Sequence, residues 1–270
     1  AGGEVVIEPE QLSGVPLEAR IALAAGRPLL TVEHTNRLLQ RHGLARLLAE
    51  AVVHESVAAT VPLTAEEEHP LIRAALETEG VEGEEALVAW LESRGWSFDD
   101  LRACVTLQEK LRRWREWRFS GEAEIRFLER KSDLDRVTYS LLRVSDADLA
   151  QELHFRLRDD GADFAALVEA FSEGSEKATR GLIGPVAVSA GHPELVRRLR
   201  VGTPGQIWPP FQLADSWLLI RLEQRLPVQL DPSMVSRMVI ELFDLWVKER
   251  VDRLLEGAEL PPVPQPPSPA

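Results

Sequence analysis

The chain has 270 residues, 44% of them apolar and 28% charged, with a formal net charge of −13 and one cysteine. That length holds one large domain or two small ones, each with its own core. The acidic balance argues against a general nucleic-acid binder, whose phosphates need a field of the opposite sign, and a lone Cys104 cannot form an intramolecular disulfide or supply a cysteine-based zinc site.

Residues 1–31 read as a lead-in, with a short helix at Leu17 to Ala25 that Gly26 and Pro28 break. From Val32 to about Ala59 the apolar positions Leu38, Leu39, Leu44, Leu47, Leu48, Ala51 and Val52 recur at three and four, a helical period bent near Gly43. Thr64-Ala65-Glu66-Glu67 has the form of a capping box: the Thr hydroxyl accepts from a free backbone N–H and Glu67 reaches back. Glu84 to Ser93 is the next helix, with Gly95 as a left-handed cap. Ser97-Phe98-Asp99-Asp100 opens another, through Leu101, Val105, Leu111 and Trp114, and Cys104 falls on it beside Leu101 and Leu107 as a core thiol. A further helical segment carries Ile125, Phe127 and Leu128, so that residues 32–131 read as an all-helical domain.

Along that domain Lys110, Arg112, Arg113, Arg115 and Arg118 alternate with Trp114 and Trp117. Such a run can hold single-stranded nucleic acid by charge and stacking, or it can be a solvated face whose arginine stems cover a tryptophan-rich core edge. Five neighbouring carboxylates, Glu109, Glu116, Glu122, Glu124 and Glu129, favour the second reading.

At Asp135 the period changes. Arg136 to Val144 is β-branched and apolar and reads as a strand, and Asp146 to Leu157 returns to helix with Leu149, Leu153 and Leu157 four apart. A helix at Phe164 to Phe171, the turn Arg180-Gly181-Leu182-Ile183-Gly184-Pro185, a short helix at His192 to Arg200 and a hairpin closing at Trp217 to Glu223 complete this part. Asp231-Pro232 then starts a long helix, because Asp suits the cap and Pro the first helical position. Its face of Val235, Met238, Val239, Leu242, Leu245 and Trp246 is too apolar to stand alone, and the N-terminal helices are the expected partner. Residues 258–270, rich in proline, are expected to be an extended or disordered tail.

The order strand, two helices, glycine turn, helix, hairpin over residues 133–225 resembles a parvulin-type (PpiC) peptidyl-prolyl isomerase domain. Phe164 to Ser172 matches its "phenylalanine, apolar, alanine, serine" helix, Arg180 to Gly184 its glycine turn, Gly205 to Pro210 the approach to the pocket-closing strand, and Trp217 to Glu223 the last strand. With helices before it and a helix returning after it, the chain looks like a chaperone-foldase of the SurA and PrsA type. The resemblance implies an α+β fold: an all-helical domain at 32–131, a small parvulin-like antiparallel sheet with surrounding helices at 132–227, and a long helix at 228–257 packing on the helical domain.

A prolyl bond turns over a barrier of about 20 kcal/mol, because twisting it breaks amide resonance. A site lowers that barrier by binding the twisted amide better than either planar form, with no covalent step and no cofactor. The resemblance implies two histidines with a cysteine or aspartate around an apolar pocket for the proline ring. In this chain those positions hold Ser140, Gly174 and Leu218, and the aspartate of the turn is Leu182. His154 and His192 fall outside them and read as structural. The apolar side survives as Leu195, Leu199, Trp208, Phe211 and Trp217, expected to touch a proline-containing peptide.

The expectation is therefore a foldase or chaperone for unfolded or extended polypeptide, its isomerase activity weak or lost. The alternative is a non-enzymatic adaptor that binds one secreted or processed peptide through a degenerate parvulin domain. No apolar run approaches the ~20 residues of a membrane span. The first residues lack the basic and apolar regions of a leader, which points to the cytoplasm, or to the periplasm or medium if a leader was removed.

Overall fold

The structure is a computed structural model that describes residues 20–24 and 27–267. Its first elements are the strands β1 (Arg20–Ala24) and β2 (Arg27–Thr31), antiparallel with Arg20 opposite Thr31 and Ala24 opposite Arg27. This corrects the helix expected at Leu17 to Ala25 as far as residues 20–24 go; the rest of that expectation lies outside the described residues. So short a run cannot hold a helix unaided, and a partner strand satisfies its backbone instead.

Helices follow: α1 (Val32–Arg41), α2 (Ala45–Ala58), α3 (Ala65–Thr78), α4 (Glu84–Arg94) and α5 (Phe98–Phe119). Their starts are written locally. Thr64 Oγ1 accepts from Glu67 N while Glu67 Oε2 accepts from Thr64 N, and Ser97 and Asp100 repeat the exchange on α5. The described residues up to Glu122 and from Val239 onward form one compact unit, and Ala123–Met238 form a second. The core of the first unit joins Val53 and Val57 of α2 and Leu101, Leu111 and Trp114 of α5 to Val239, Phe243, Val247 and Val251, all buried on the final helix α10 (Pro232–Leu255).

Two expectations change in this unit. Cys104 is exposed; it lines an open cavity of about 580 Å³ with Trp96, Ala103 and Leu107 and with Glu55 and Ala58 of α2. The proline-rich tail, through residue 267, lies against the helices. Trp114 Nε1 donates to Pro264 O at 2.8 Å and Arg253 Nη2 to Glu259 O at 3.1 Å. A buried indole N–H needs an acceptor, and an extended proline-rich chain offers carbonyls that it does not use itself.

The second unit holds α6 (Ala123–Leu134), β3 (Arg136–Val144), α7 (Ala147–Arg158), α8 (Phe164–Phe171), β4 (Leu182–Ala187), α9 (Pro193–Leu199), β5 (Phe211–Leu213) and β6 (Ser216–Leu226). The sheet order is β4-β3-β6-β5, antiparallel throughout. α6, grouped with the helical domain in the sequence reading, clusters here with the sheet. Buried Asp135 fastens its end: Oδ1 accepts from Val228 N at 3.0 Å and from Lys131 Nζ at 3.1 Å. Asp146 and Asp163 cap α7 and α8 through their carboxylates, as their positions before each apolar run require.

Candidate functional site

β3 and β6 lie in register with Leu141 opposite Ile220, Leu142 opposite Leu219 and Arg143 opposite Leu218. Because side chains alternate along a strand, the pair has two faces with different neighbours. One face carries Val137, Tyr139, Leu141, Leu218, Ile220 and Leu222 and packs on Leu195 and Leu199 of α9 and Phe211 of β5. The other carries Leu142, Val144 and Leu219 and packs on Leu153 and Leu157 of α7 and Phe164 and Val168 of α8.

This alternation sorts the five expected prolyl contacts. Leu195, Leu199, Phe211 and half-buried Trp208 come together on the first face, whereas Trp217, opposite Val144, packs on the second. Trp208 is placed by backbone: its N–H donates to Ile220 O at 3.2 Å, and Leu222 N donates to Gln206 O at 3.0 Å, so residues 205–208 run along the edge of β6. A side chain at Gly202 would run into the Trp208 ring, so glycine there lets the indole lie against the chain. Leu199 and Leu218 are each 2% exposed and Leu195 and Phe211 each 7%; these side chains fill the space between sheet and helix. The Arg198 guanidinium roofs the Phe211 ring, 3.7 Å from its centroid, and is held by Glu194 at 2.7 Å. Behind it Arg225 Nη2 donates to Leu199 O and to Gly202 O at 3.1 Å, tying the end of α9 to β6.

The positions implied for the polar network do not converge. Ser140 pairs with Arg221 on the second face, where its hydroxyl donates to Glu223 Oε1 at 2.5 Å and Arg221 Nε donates to the same oxygen at 2.7 Å. Leu218 is core on the first face. Leu182 is half exposed. Gly174 sits before a short 3-10 helix (Ser175–Thr179), and the space where its side chain would go is taken by the carboxylate of Glu176. Glu176 is buried; its carboxylate accepts from Ser172 Oγ at 2.6 Å and lies 3.6 Å from Arg143 Nη2. Sequence reasoning missed Glu176, Arg143 and Glu223; the one signal was the glycine itself, which leaves room for a neighbouring group.

Neither histidine of this unit enters these positions. His192 caps α9, its Nδ1 accepting from Glu194 N at 3.3 Å. His154 is buried on α7 with Nδ1 unpaired, and burial, then the nearby Arg158 charge, pushes its pKa down. What remains is an apolar cluster filled by its own side chains under an arginine roof, with no general acid or base at positions 140, 174 and 218. Among the described residues no group of three or more His, Cys, Asp or Glu is placed to hold a metal ion, and no helix is long and apolar enough to cross a membrane.

Residues 143–224 match the family model described as Rotamase, the PPIC-type PPIASE domain. No curated protein matches the chain. Among solved structures the chain is similar to the peptidylprolyl isomerase PrsA from Bacillus cereus, at 18% identity over 90% of this chain and 93% of that one, with a TM-score of 0.55. PrsA from Bacillus anthracis matches at 17% identity over 80% and 99%, TM-score 0.45. A SurA-like chaperone from Campylobacter jejuni matches at 13% over 90% and 99%, TM-score 0.33. The first of these likenesses establishes the common fold.

Proposed function

Since residues 143–224 are a PpiC-type rotamase domain in a chain with the fold of PrsA, we propose that the protein is a foldase-type chaperone that binds unfolded or extended polypeptide and accelerates prolyl isomerisation weakly or not at all. The observation that carries this is the split in the domain. Its apolar cluster of Leu195, Leu199, Trp208 and Phe211 is assembled, while Ser140, Gly174 and Leu218 supply no titratable group and Ser140 and Leu218 lie on opposite faces of the sheet. Apolar contact with a prolyl ring needs the first part. Rate acceleration needs donors placed at the twisting amide, which the second part lacks.

Exposed Leu44, Leu48 and Val52, one turn apart along α2, add an apolar stripe of the kind that binding surfaces carry. The proposal extends to proline-containing segments as preferred clients and to a location outside the cytoplasm. The cytoplasmic expectation is not carried forward, since it rested on a missing leader and a leader can be cleaved. The test is aggregation of a chemically denatured client diluted into buffer with the full chain. Suppression at near-stoichiometric protein, for clients of unrelated sequence, supports the reading; no suppression of any client removes it.

A further inference from the structure

The contacts of the tail follow a period. Along Glu259-Leu260-Pro261-Pro262-Val263-Pro264-Gln265-Pro266-Pro267, only Leu260, Val263 and Pro266 are half-buried, and the residues between them are exposed. The carbonyls of Pro261 and Pro264, also three apart, are both captured: Arg250 Nη2 donates to the first and Trp114 Nε1 to the second at 2.8 Å. Three residues per turn is the repeat of a polyproline II helix, which makes no internal hydrogen bonds and so presents its carbonyls to any donor alongside. The donors come from two helices. Trp114 lies on α5 and Arg250 on α10, and Trp246 joins them, its ring 4.7 Å from Trp114 and under the Arg250 guanidinium at 4.6 Å. Arg250 is 7% exposed and its Nε has no partner, so the guanidinium is held in place by the Trp246 ring and the tail carbonyl.

We propose that the Trp114–Trp246–Arg250 face of the helical unit is a binding site for proline-rich polypeptide in the polyproline II conformation, and that residues 259–267 occupy it as a built-in ligand which such a segment of another chain displaces. The hydrogen bonds to the tail go to backbone carbonyls, its half-buried residues are apolar, and no charged side chain lies between Leu260 and Pro267. The face therefore reads spacing and extension, which any segment with prolines at i and i+3 supplies. Ion pairs specific to the tail are not involved. The site lies wholly within the helical unit, so it stands or falls apart from the reading of residues 143–224.

A tethered ligand acts at an effective concentration near the millimolar range, so a free peptide meets a site that is mostly filled. The probe is a labelled synthetic peptide of residues 259–267, with a control in which every proline is serine, titrated against the full chain and against a chain ending at Ala258. The expected result is binding about tenfold tighter to the shortened chain than to the full one, no binding of the control, and about fivefold loss on Trp114→Phe in the shortened chain, the worth of one hydrogen bond. If the shortened chain does not fold, the full chain with Pro261→Gly and Pro264→Gly takes its place and is expected to bind the peptide more tightly than the parent. A folded shortened or glycine variant that binds the peptide no better than the full chain, or binds the control equally, overturns the proposal.

Discussion

The carboxylate of Glu176 occupies the volume that a side chain on Gly174 would fill. The backbone at Gly174 has φ −102°, open to any residue, so the glycine is kept for space alone. Gly174→Ala is expected to cost about 1–3 kcal/mol, the range for overpacking a filled site. In a Glu176→Ala background the same change should cost nothing, because the obstructing group is gone. Urea unfolding of the four proteins of this cycle measures the coupling. Equal cost in both backgrounds would mean that Glu176 moves aside freely.

His154 is buried on α7, and its pKa is pushed down by burial and by Arg158, against a smaller opposing pull from Asp159. A histidine held neutral in the fold binds fewer protons there than in the unfolded chain, so its contribution is present above the ordinary value of 6.5 and is lost as pH falls through the depressed folded value. Thermal midpoints should therefore drop on acidification below about pH 6.5, and His154→Phe should flatten that part of the profile. A variant with an unchanged profile would assign the acid sensitivity elsewhere.

Arg198 covers the Phe211 ring and is itself anchored by Glu194. A prolyl ring stacking on Phe211 must displace that guanidinium. Arg198→Ala should cost about 1–2 kcal/mol, since a partly exposed ion pair and the stacking on Phe211 are lost together, and should tighten the binding of proline-containing peptides severalfold. Weaker binding instead would show the guanidinium to be part of the grip.

The basic run on α5 is largely neutralised in place. Arg112 pairs with Glu109 and Glu116, Arg113 with Glu109 and Glu67, and Arg118 with Glu122, each within 2.7 Å. Hydrogen bonds from Arg112 and Arg113 hold the Glu109 carboxyl down to about 2. Titration of a single-stranded oligonucleotide at low salt is expected to be flat. Binding that weakens steeply with salt would revive the nucleic-acid reading.

Elements set by neighbours in sequence were legible before the fold. The capping box at Thr64, the helix start at Ser97, the left-handed Gly95 with φ +64° and the Asp231-Pro232 start of α10 all sit where the local pattern places them, because each depends on contacts within four residues. The sheet module was legible through its glycine turn and strand pattern. The site was only partly so. Trp217 and Leu218 are adjacent on one strand and must face opposite ways, which was enough to separate Trp217 from the cluster around Leu195, yet both were placed at the pocket. Arg143 meets Ser172 and Glu176 across 29 and 33 positions of chain, and Trp114 finds Pro264 150 positions away. No local pattern encodes such pairings. Cys104 is exposed for a related reason: its helical period is right, but the groove between α2 and that stretch of α5 is open.

We propose that this rotamase domain keeps an apolar contact for proline and lacks the polar groups of the family's site. The most direct test is the cis–trans exchange rate of a short Ala-X-Pro-Phe peptide, followed by exchange NMR over rising concentrations of the full chain. The account predicts resonances that shift as the peptide binds, with an exchange rate that stays at the buffer value. An exchange rate that climbs many-fold over the buffer value in proportion to protein would contradict it, since strong catalysis would then be running with serine, glycine and leucine at 140, 174 and 218.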